Sequence, residues 1–537
     1  MCYNKRINAN ISDCVPRLKK EVLMKKILGI ELGSTRIKSV LIDESANVIA
    51  SGSFEWENAL VDGLWSYSLS DVEKGLQTSY AGLAADYKEK FGEELTSVSA
   101  IGISAMMHGY LAFDGNDNLL VPFRTWRNTN TEKAADELTE KFNFNVPMRW
   151  SVSHYYQAIL NGEPHVNDVA FLTTLAGYVH YKLTGKKVLG VGDASGMFPI
   201  KDGKYNPEML EKFNAILADK GISNSFEAIL PEIMTAGENA GLLTEEGAKW
   251  LDPAGNLKPG CIMCPPEGDA GTGMVATNSV MPRSANVSAG TSAFLMAVLE
   301  KDLSSYYKEI DVVTTPHGSP VAMVHVNNFT SEINSWTSLF EEVIALAGGN
   351  ISRGKLFDSL FKKSLEGSAD LGGILGYNFL SGEPIAGVAK GIPMVTRTPD
   401  GKLTLANFMK MHIYSALGSL AMGCEILSEE NVQIDRVCGH GGFFKTEKVG
   451  QSAMSAAIGA PVTVMKNAGE GGAWGIALLA LFTANGGADF EGFLDSVFAN
   501  TEMITIEADE SEKASFAAFM EKYKNGLPVE RLASEVM

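Results

Sequence analysis

Twice in its 537 residues this chain runs an apolar strand into a glycine flanked by hydroxyl residues and straight out again as a second strand. The first instance is ILGIEL, then Gly33-Ser34-Thr35, then IKSVLID, so Ile27 to Asp43 reads as a hairpin, with a third strand after Ser45-Ala46-Asn47. The second is ANVS, then Ala289-Gly290-Thr291-Ser292, then AFLMAVL, and Pro320 to Val326 continues that sheet. A tip of this composition turns several N–H groups and hydroxyls toward one point, a concavity that takes phosphate oxygens without net positive charge. Either tip alone is equally an ordinary hairpin turn. Two, each opening one half of the chain, point to a shared phosphate site. The division between the halves falls near Met281-Pro282.

The rest of the chain favours a folded α/β protein. Asp71 to Tyr87 has helical spacing, with Leu76, Tyr80, Leu83 and Tyr87 on one face. VSAIGIS, residues 98 to 104, is a buried type of strand, and Ala170 to Leu183 reads as an apolar helix stopped by Gly185. Long helices are expected over Ser331 to Leu346, Leu405 to Leu427 and Gly471 to Thr483. Gly349 to Lys355, GNISRGK, has the spacing of a P-loop, but Leu356 stands where the Mg²⁺-binding Ser or Thr belongs. It also follows a helix, so it is read as a helix end and inter-helix loop.

Composition narrows the function. Net charge is −19, which argues against nucleic acid as a partner. No stretch approaches the ~20 apolar residues of a membrane span, and Ile476 to Phe482, the densest, is short. A cytoplasmic protein without membrane contact is expected. Residues 1–23 carry no signal-type apolar run and read as a disordered leader or a mis-assigned start, with Met24 as the alternative first residue. Of six cysteines, Cys2 and Cys14 lie in that leader, Cys424 and Cys438 read as core thiols, and the Cys261/Cys264 pair lacks the second pair a structural zinc needs.

Several segments carry chemistry. Phosphoryl transfer to an alcohol needs a carboxylate to take the hydroxyl proton. Asp269, in the glycine-rich PPEGDAGTGM ahead of a helix, suits that role, and a helix-capping Asp is its bland alternative. Met106-Met107-His108-Gly109 closes the strand VSAIGIS, where side chains can reach a crevice. Trp126, in RTWRNTNT, offers an aromatic face beside Arg127 and Asn128, an arrangement suited to sugar or equally to plain core. Gly439-His440-Gly441-Gly442-Phe443 and Asn467 to Ala473 are glycine-rich turns into helices, the first flat enough for a purine to lie on.

Taken in order, GIELGSTRIK, SAMMHGYL, TWRNTNT, GVGDASGMF, PEGDAGTGM, NVSAGTSAF, FLSGEP, GHGGFFKTEKVGQSAMSAAIGAPV and EGGAWGIALLAL resemble the FGGY carbohydrate kinase family, from Met24 to the end. The resemblance implies an α/β fold of two actin-like (ribonuclease H-like) ATPase domains, 24–281 and 282–537, with an interdomain cleft. It implies ATP and Mg²⁺ there, with a small sugar. Asp269 would be the general base. Gly33, Ser34, Thr35, Gly290, Thr291 and Ser292 would hold phosphates, and Gly441, Gly442 and Phe443 the adenine. Met107, His108 and Trp126 match positions lining the sugar pocket; Glu31 and Asp269 would face the metal. The Met-His-Gly segment is similar to xylulokinases, and NNFTSEINSW to ribulokinase-like members, which implies a ketopentose, L-ribulose or D-xylulose. Glu31 stands where the family usually has Asp, and Arg127-Asn128 departs from the usual sugar loop. A kinase of another polyol or deoxyketohexose, or an actin-fold ATPase module that makes no sugar phosphate, remains an alternative. A homodimer is a further candidate assembly.

Overall fold

The computed structural model describes residues 25–465 and 471–537. The readings of the leader, of Cys2 and Cys14, of Met24 as the start, and of the turn at 467–470 lie outside the described residues. Strand Ile27–Leu32 is buried on both faces, as an apolar run without alternation should be. It lies at the centre of a sheet, antiparallel to Arg36–Ile42 and parallel to Ala100–Ala105. Val48–Glu55 extends the meander beyond Arg36–Ile42, and Ile262–Met263 and Glu267–Gly268 both pair in parallel with Ala100–Ala105. The second sheet repeats this plan. Pro320–Val326, Ala293–Val298 and Ser284–Ala289 form an antiparallel meander, and Arg436–His440 and Val462–Met465 add two parallel strands. The repeat glimpsed in the two glycine tips is therefore a repeat of topology. Ile310–Thr314 and Met503–Ile506 close the edges of the second sheet.

The helices on the two faces of the first sheet are placed there for local reasons. Helix Leu69–Phe91 is started by Ser68, whose hydroxyl accepts from Asp71 N–H at 3.0 Å, and stopped by Gly92 in the left-handed region. On the opposite face, Gly29 and Gly102 are cross-strand partners. Helix Gly471–Ala484 lies directly on this bare patch. A Cβ on Gly29 would sit 2.2 Å from Ala473 O, and one on Gly102 2.6 Å from Ile476 O. The helix's other side crosses helix Asp269–Val275, where a Cβ on Gly475 would sit 2.0 Å from Thr272 O.

Helix Gly471–Ala484 comes from the second half of the sequence, yet it packs on the strands of the first sheet. The second sheet's edge also grips the first half. Asn145 Nδ2 donates to Asp311 Oδ1 at 3.0 Å, and Arg149 forms an ion pair with the same buried carboxylate. Thr314 N–H donates to Ser195 Oγ at 3.0 Å, and Thr314 Oγ1 to Val191 O at 2.9 Å. The expected helix Ala170–Leu183 is also corrected. Phe171–Thr173 is a strand paired with Leu111–Phe113, and the helix is Leu175–Thr184, capped by Thr174 and ended by Gly185 at φ 73°. Among the described residues no helix is long and apolar enough to cross a membrane. GNISRGK is a loop running into helix Arg353–Ser364, and Cys261 and Cys264 are buried free thiols.

Candidate active site

Asp269 is the first residue of helix Asp269–Val275, with Gly268 as its N-cap, so the capping reading is set aside. Its carboxylate Oδ1 accepts the backbone N–H of Met107 at 3.3 Å. That bond ties the acid to the loop leaving strand Ala100–Ala105. Burial pushes the Asp269 carboxyl up to about 6, against the pull of the Met107 and Ala270 N–H groups. The side chain remains half-buried and lines a cavity of 820 Å³ with Glu31, Gly472, Ser288 and His440.

Three more carboxyls surround it. Burial, and then the charge of Asp269, push Glu31 up to about 7; Asp193 rises to about 7 from the same two causes. Glu267 rises to about 8, through burial and the neighbouring Asp193, although Gly192 and Asp193 N–H groups bind its oxygens at 3.3 and 2.9 Å. Like charges so placed do not all ionise together, and they titrate as a set.

The two glycine tips are built alike. In the first, the Gly33 carbonyl accepts from Trp56 Nε1 at 2.7 Å, and the Ser34 carbonyl from Tyr67 OH at 2.6 Å. In the second, the Gly290 carbonyl accepts from Thr330 Oγ1 at 2.6 Å, and the Thr291 carbonyl from Phe329 N–H at 2.9 Å. A trans peptide sets C=O and the next N–H in opposite directions. With the carbonyls drawn back, the N–H groups of Ser34, Thr35, Thr291 and Ser292 face away from the supports. Gly290 and Thr291 are exposed, as is Thr35. We expect Tyr67→Phe, which frees the Ser34 carbonyl, to weaken nucleotide binding about three- to tenfold while leaving the fold intact, checked by titration calorimetry.

Of the sugar-side residues, Met107 and His108 are buried, with His108 at φ 68° in the left-handed region. His108 Nδ1 lies 3.2 Å from Gly196 O, which assigns the proton to Nδ1 and leaves Nε2 as an acceptor. Burial, and then the nearby Arg149 charge, hold this imidazole down to about 3, so it is neutral. Trp126 is 37% exposed and donates from Nε1 to Ser34 Oγ at 3.3 Å. The structure thus brings Trp126 to the first glycine tip and Met107 to Asp269. Gly441, at φ 111°, lies against Ala289, the residue before the second tip. The Phe443 ring is fully buried against Phe329 and Phe361, so only its backbone is left to face the cleft.

The extra methylene of Glu31 has a use. It carries Oε2 to the N–H of Ala473 at 3.1 Å, joining the first strand to the helix that crosses it. No group of three or more His, Cys, Asp or Glu that could hold a metal exists among the described residues. Mg²⁺ in kinases takes only one or two carboxylates and completes its shell with water and phosphate oxygens. Glu31 and Asp269, lining one cavity, fit that donor set.

Sequence reasoning missed Trp56 and Tyr67, since nothing in their spacing shows that they end behind the first tip. It also passed over Asp193 and Glu267, although both lie inside motifs that were singled out. Asp311 and Arg149 carried no local signal.

The family description "FGGY family of carbohydrate kinases, N-terminal domain" matches residues 26–253, and its C-terminal counterpart matches residues 285–484. The chain is 23% identical over 505 residues to the xylulose kinase of Haemophilus influenzae, covering 91% of this chain and 94% of that protein. The match to the xylulose kinase of Staphylococcus xylosus, 22% identical over 245 residues and 44% of this chain, spans about half of that relative, 48%. The solved xylulose kinase of Rhodospirillum rubrum superposes with a TM-score of 0.78 at 14% identity, over 95% of this chain and 100% of the other, a likeness of fold. Two matched halves, two sheets of one topology and a cleft-facing carboxyl between them lead to one assignment: the chain belongs to the FGGY family of carbohydrate kinases.

Proposed function

We propose that this protein is an ATP-dependent kinase of a ketopentose, with L-ribulose and D-xylulose as the leading substrates. The observation that carries the reading is Asp269: a carboxyl raised to about 6, anchored by Met107 N–H, in a chain whose two glycine tips turn N–H groups outward. Relatives named xylulose kinase support the ketopentose.

In this reading the sugar lies against His108 and Trp126, and the nucleotide phosphates against the two tips. Asp269 accepts the proton of the attacking hydroxyl as the oxygen bonds to the γ-phosphorus and ADP leaves. General-base assistance of this kind contributes on the order of 10²–10⁴-fold. Glu31 and Asp269 would hold Mg²⁺ together with the phosphates, and the ion would supply charge neutralisation on the transferring group. Closing the cleft removes water, which otherwise competes as acceptor.

The base works only when ionised. Because burial raises Asp269 to about 6, its unprotonated fraction falls as pH drops through that value. We expect kcat/KM to rise with pH through about 6 and level off above, with activity at pH 5 about a tenth of the plateau. A profile flat from pH 5 to 8 would contradict the assignment.

The substrate is tested by coupled ADP release over a panel of ketopentoses, ketohexoses, gluconate and polyols. ADP release driven by L-ribulose or D-xylulose is the expected result. A rate without sugar as high as the rate with it would identify an ATPase module instead.

A further inference from the structure

Two stretches of the second half have no role in the chemistry above: the Asn327-Asn328 pair after strand Pro320–Val326, and the loop Phe379–Pro384, FLSGEP. The structure knits them together. Glu383, fully buried, accepts at Oε2 from the N–H groups of Asn327 and Asn328, at 3.0 and 3.1 Å, and from Asn328 Nδ2 at 3.2 Å. Asn328 Oδ1 accepts in return from the N–H groups of Leu380 and Ser381, at 2.9 and 3.0 Å, and from Ser381 Oγ at 3.2 Å. Asn378 Nδ2 bridges the carbonyls of Asn328 and Phe329 at 3.0 and 3.1 Å.

A carboxylate taken fully out of water is destabilising unless its oxygens are well bonded. Here all three donors to Glu383 go to Oε2 and come from two consecutive residues, while Oε1 is buried without a partner. The next three residues are those that hold the second glycine tip: Phe329 N–H and Ser331 Oγ donate to Thr291 O at 2.9 and 3.3 Å, and Thr330 Oγ1 donates to Gly290 O at 2.6 Å. The tip itself is exposed and has no apolar packing of its own at Gly290 or Thr291. Besides the hairpin's own Gly290 N–H to Ser292 O bond at 3.0 Å, the tip's carbonyls are held by residues 329–331, which directly follow Asn328.

We infer that Glu383 and Asn328 are positioning residues for the nucleotide phosphates: they fix residues 329–331, which turn the N–H groups of Thr291 and Ser292 toward the cleft. This rests on the kinase reading, and it adds to it a site of control outside the lining of the cavity that Asp269 faces. Loss of the network leaves the sugar loops untouched, because His108 and Trp126 are held by Gly196 and Ser34 of the first half. The effect falls on nucleotide affinity alone. A purely structural role would lower the melting temperature and affect both substrates equally.

The test uses the full chain and titration calorimetry with the β,γ-imido analogue of MgATP in the absence of sugar. Glu383→Ala is expected to weaken the analogue about tenfold, and Thr330→Val about threefold or more. Glu383→Gln, whose amide oxygen can accept the same three donors, is expected to stay within about twofold of the parent. KM for the ketopentose is expected to change less than about twofold in all three. A folded Glu383→Ala with parental analogue affinity, or one losing sugar and nucleotide equally, overturns the inference. If Glu383→Ala does not fold, Thr330→Val decides, and unchanged affinity there overturns it. A parent chain that binds the analogue but phosphorylates no ketopentose refutes only the substrate assignment; one that binds no analogue refutes both.

Discussion

Asp269→Ala is expected to turn over about 10²–10⁴-fold more slowly than the parent chain while retaining nucleotide binding. The size follows from its role. The substitution removes the proton acceptor but none of the N–H groups at the two tips, which belong to residues 34–35 and 291–292. The separation is measurable: single-turnover rate for the chemistry, calorimetry for the nucleotide. Asp269→Asn is the sharper variant, since its amide keeps the acceptor for Met107 N–H and loses only the basic carboxylate. Both variants should also lose the pH limb near 6. Near-parental turnover in either would remove Asp269 from catalysis.

The second large effect is expected from the crossing of the two central helices. At Gly475 an added Cβ would meet Thr272 O at 2.0 Å, a backbone atom that cannot swing aside. Gly475→Val therefore forces helix Gly471–Ala484 off helix Asp269–Val275. Overpacking typically costs about 1–3 kcal/mol, and a rigid backbone contact puts this case at the upper end or beyond. We expect a melting temperature lower by about 3–5 °C, with activity lost before the fold because the same helix carries Ala473, the partner of Glu31. Gly354→Ala is the control. It lies in helix Arg353–Ser364 with nothing within 4 Å of its added Cβ, and is expected to be neutral or to stabilise by about 0.5–1 kcal/mol. Equal melting temperatures for the parent and Gly475→Val would refute this account of the packing.

Much of the frame was legible because it rests on local pattern. Helix Ser331–Leu346 begins and ends where its spacing predicts, and both hairpins form at the expected glycines. Asp269 could be singled out as a carboxylate in a glycine-rich stretch ahead of a helix, and the family resemblance set that reading above a helix cap. What escaped was set by tertiary contacts. Phe171–Thr173 reads as helix by apolar run alone, and becomes a strand only because Leu111–Phe113 offers it an edge. Phe443 stands in a glycine-rich motif, yet its ring is taken by Phe329 and Phe361, which come from distant segments. Helix Gly471–Ala484 was foreseen, but its partner was not, since Gly29 and Gly102 look like routine strand residues until a helix is laid across them. Trp56, Tyr67 and Glu383 act through the carbonyls or amides of other residues, a relation that leaves no trace in spacing.

The return of residues 471–484 to the opening strands has a consequence for biogenesis. A nascent chain emerges from the ribosome in order, and a domain ordinarily closes as soon as its last segment is out. Here the greasy underside of the first strands stays bare until Ala484 has been made. During that interval the growing polypeptide presents Ile27, Val40, Ile42 and Ala100 without their final neighbours, all of them fully shielded once synthesis ends. Expression of the opening portion by itself should give material that clumps or is captured by holdase chaperones, and co-expression with the missing tail should rescue it.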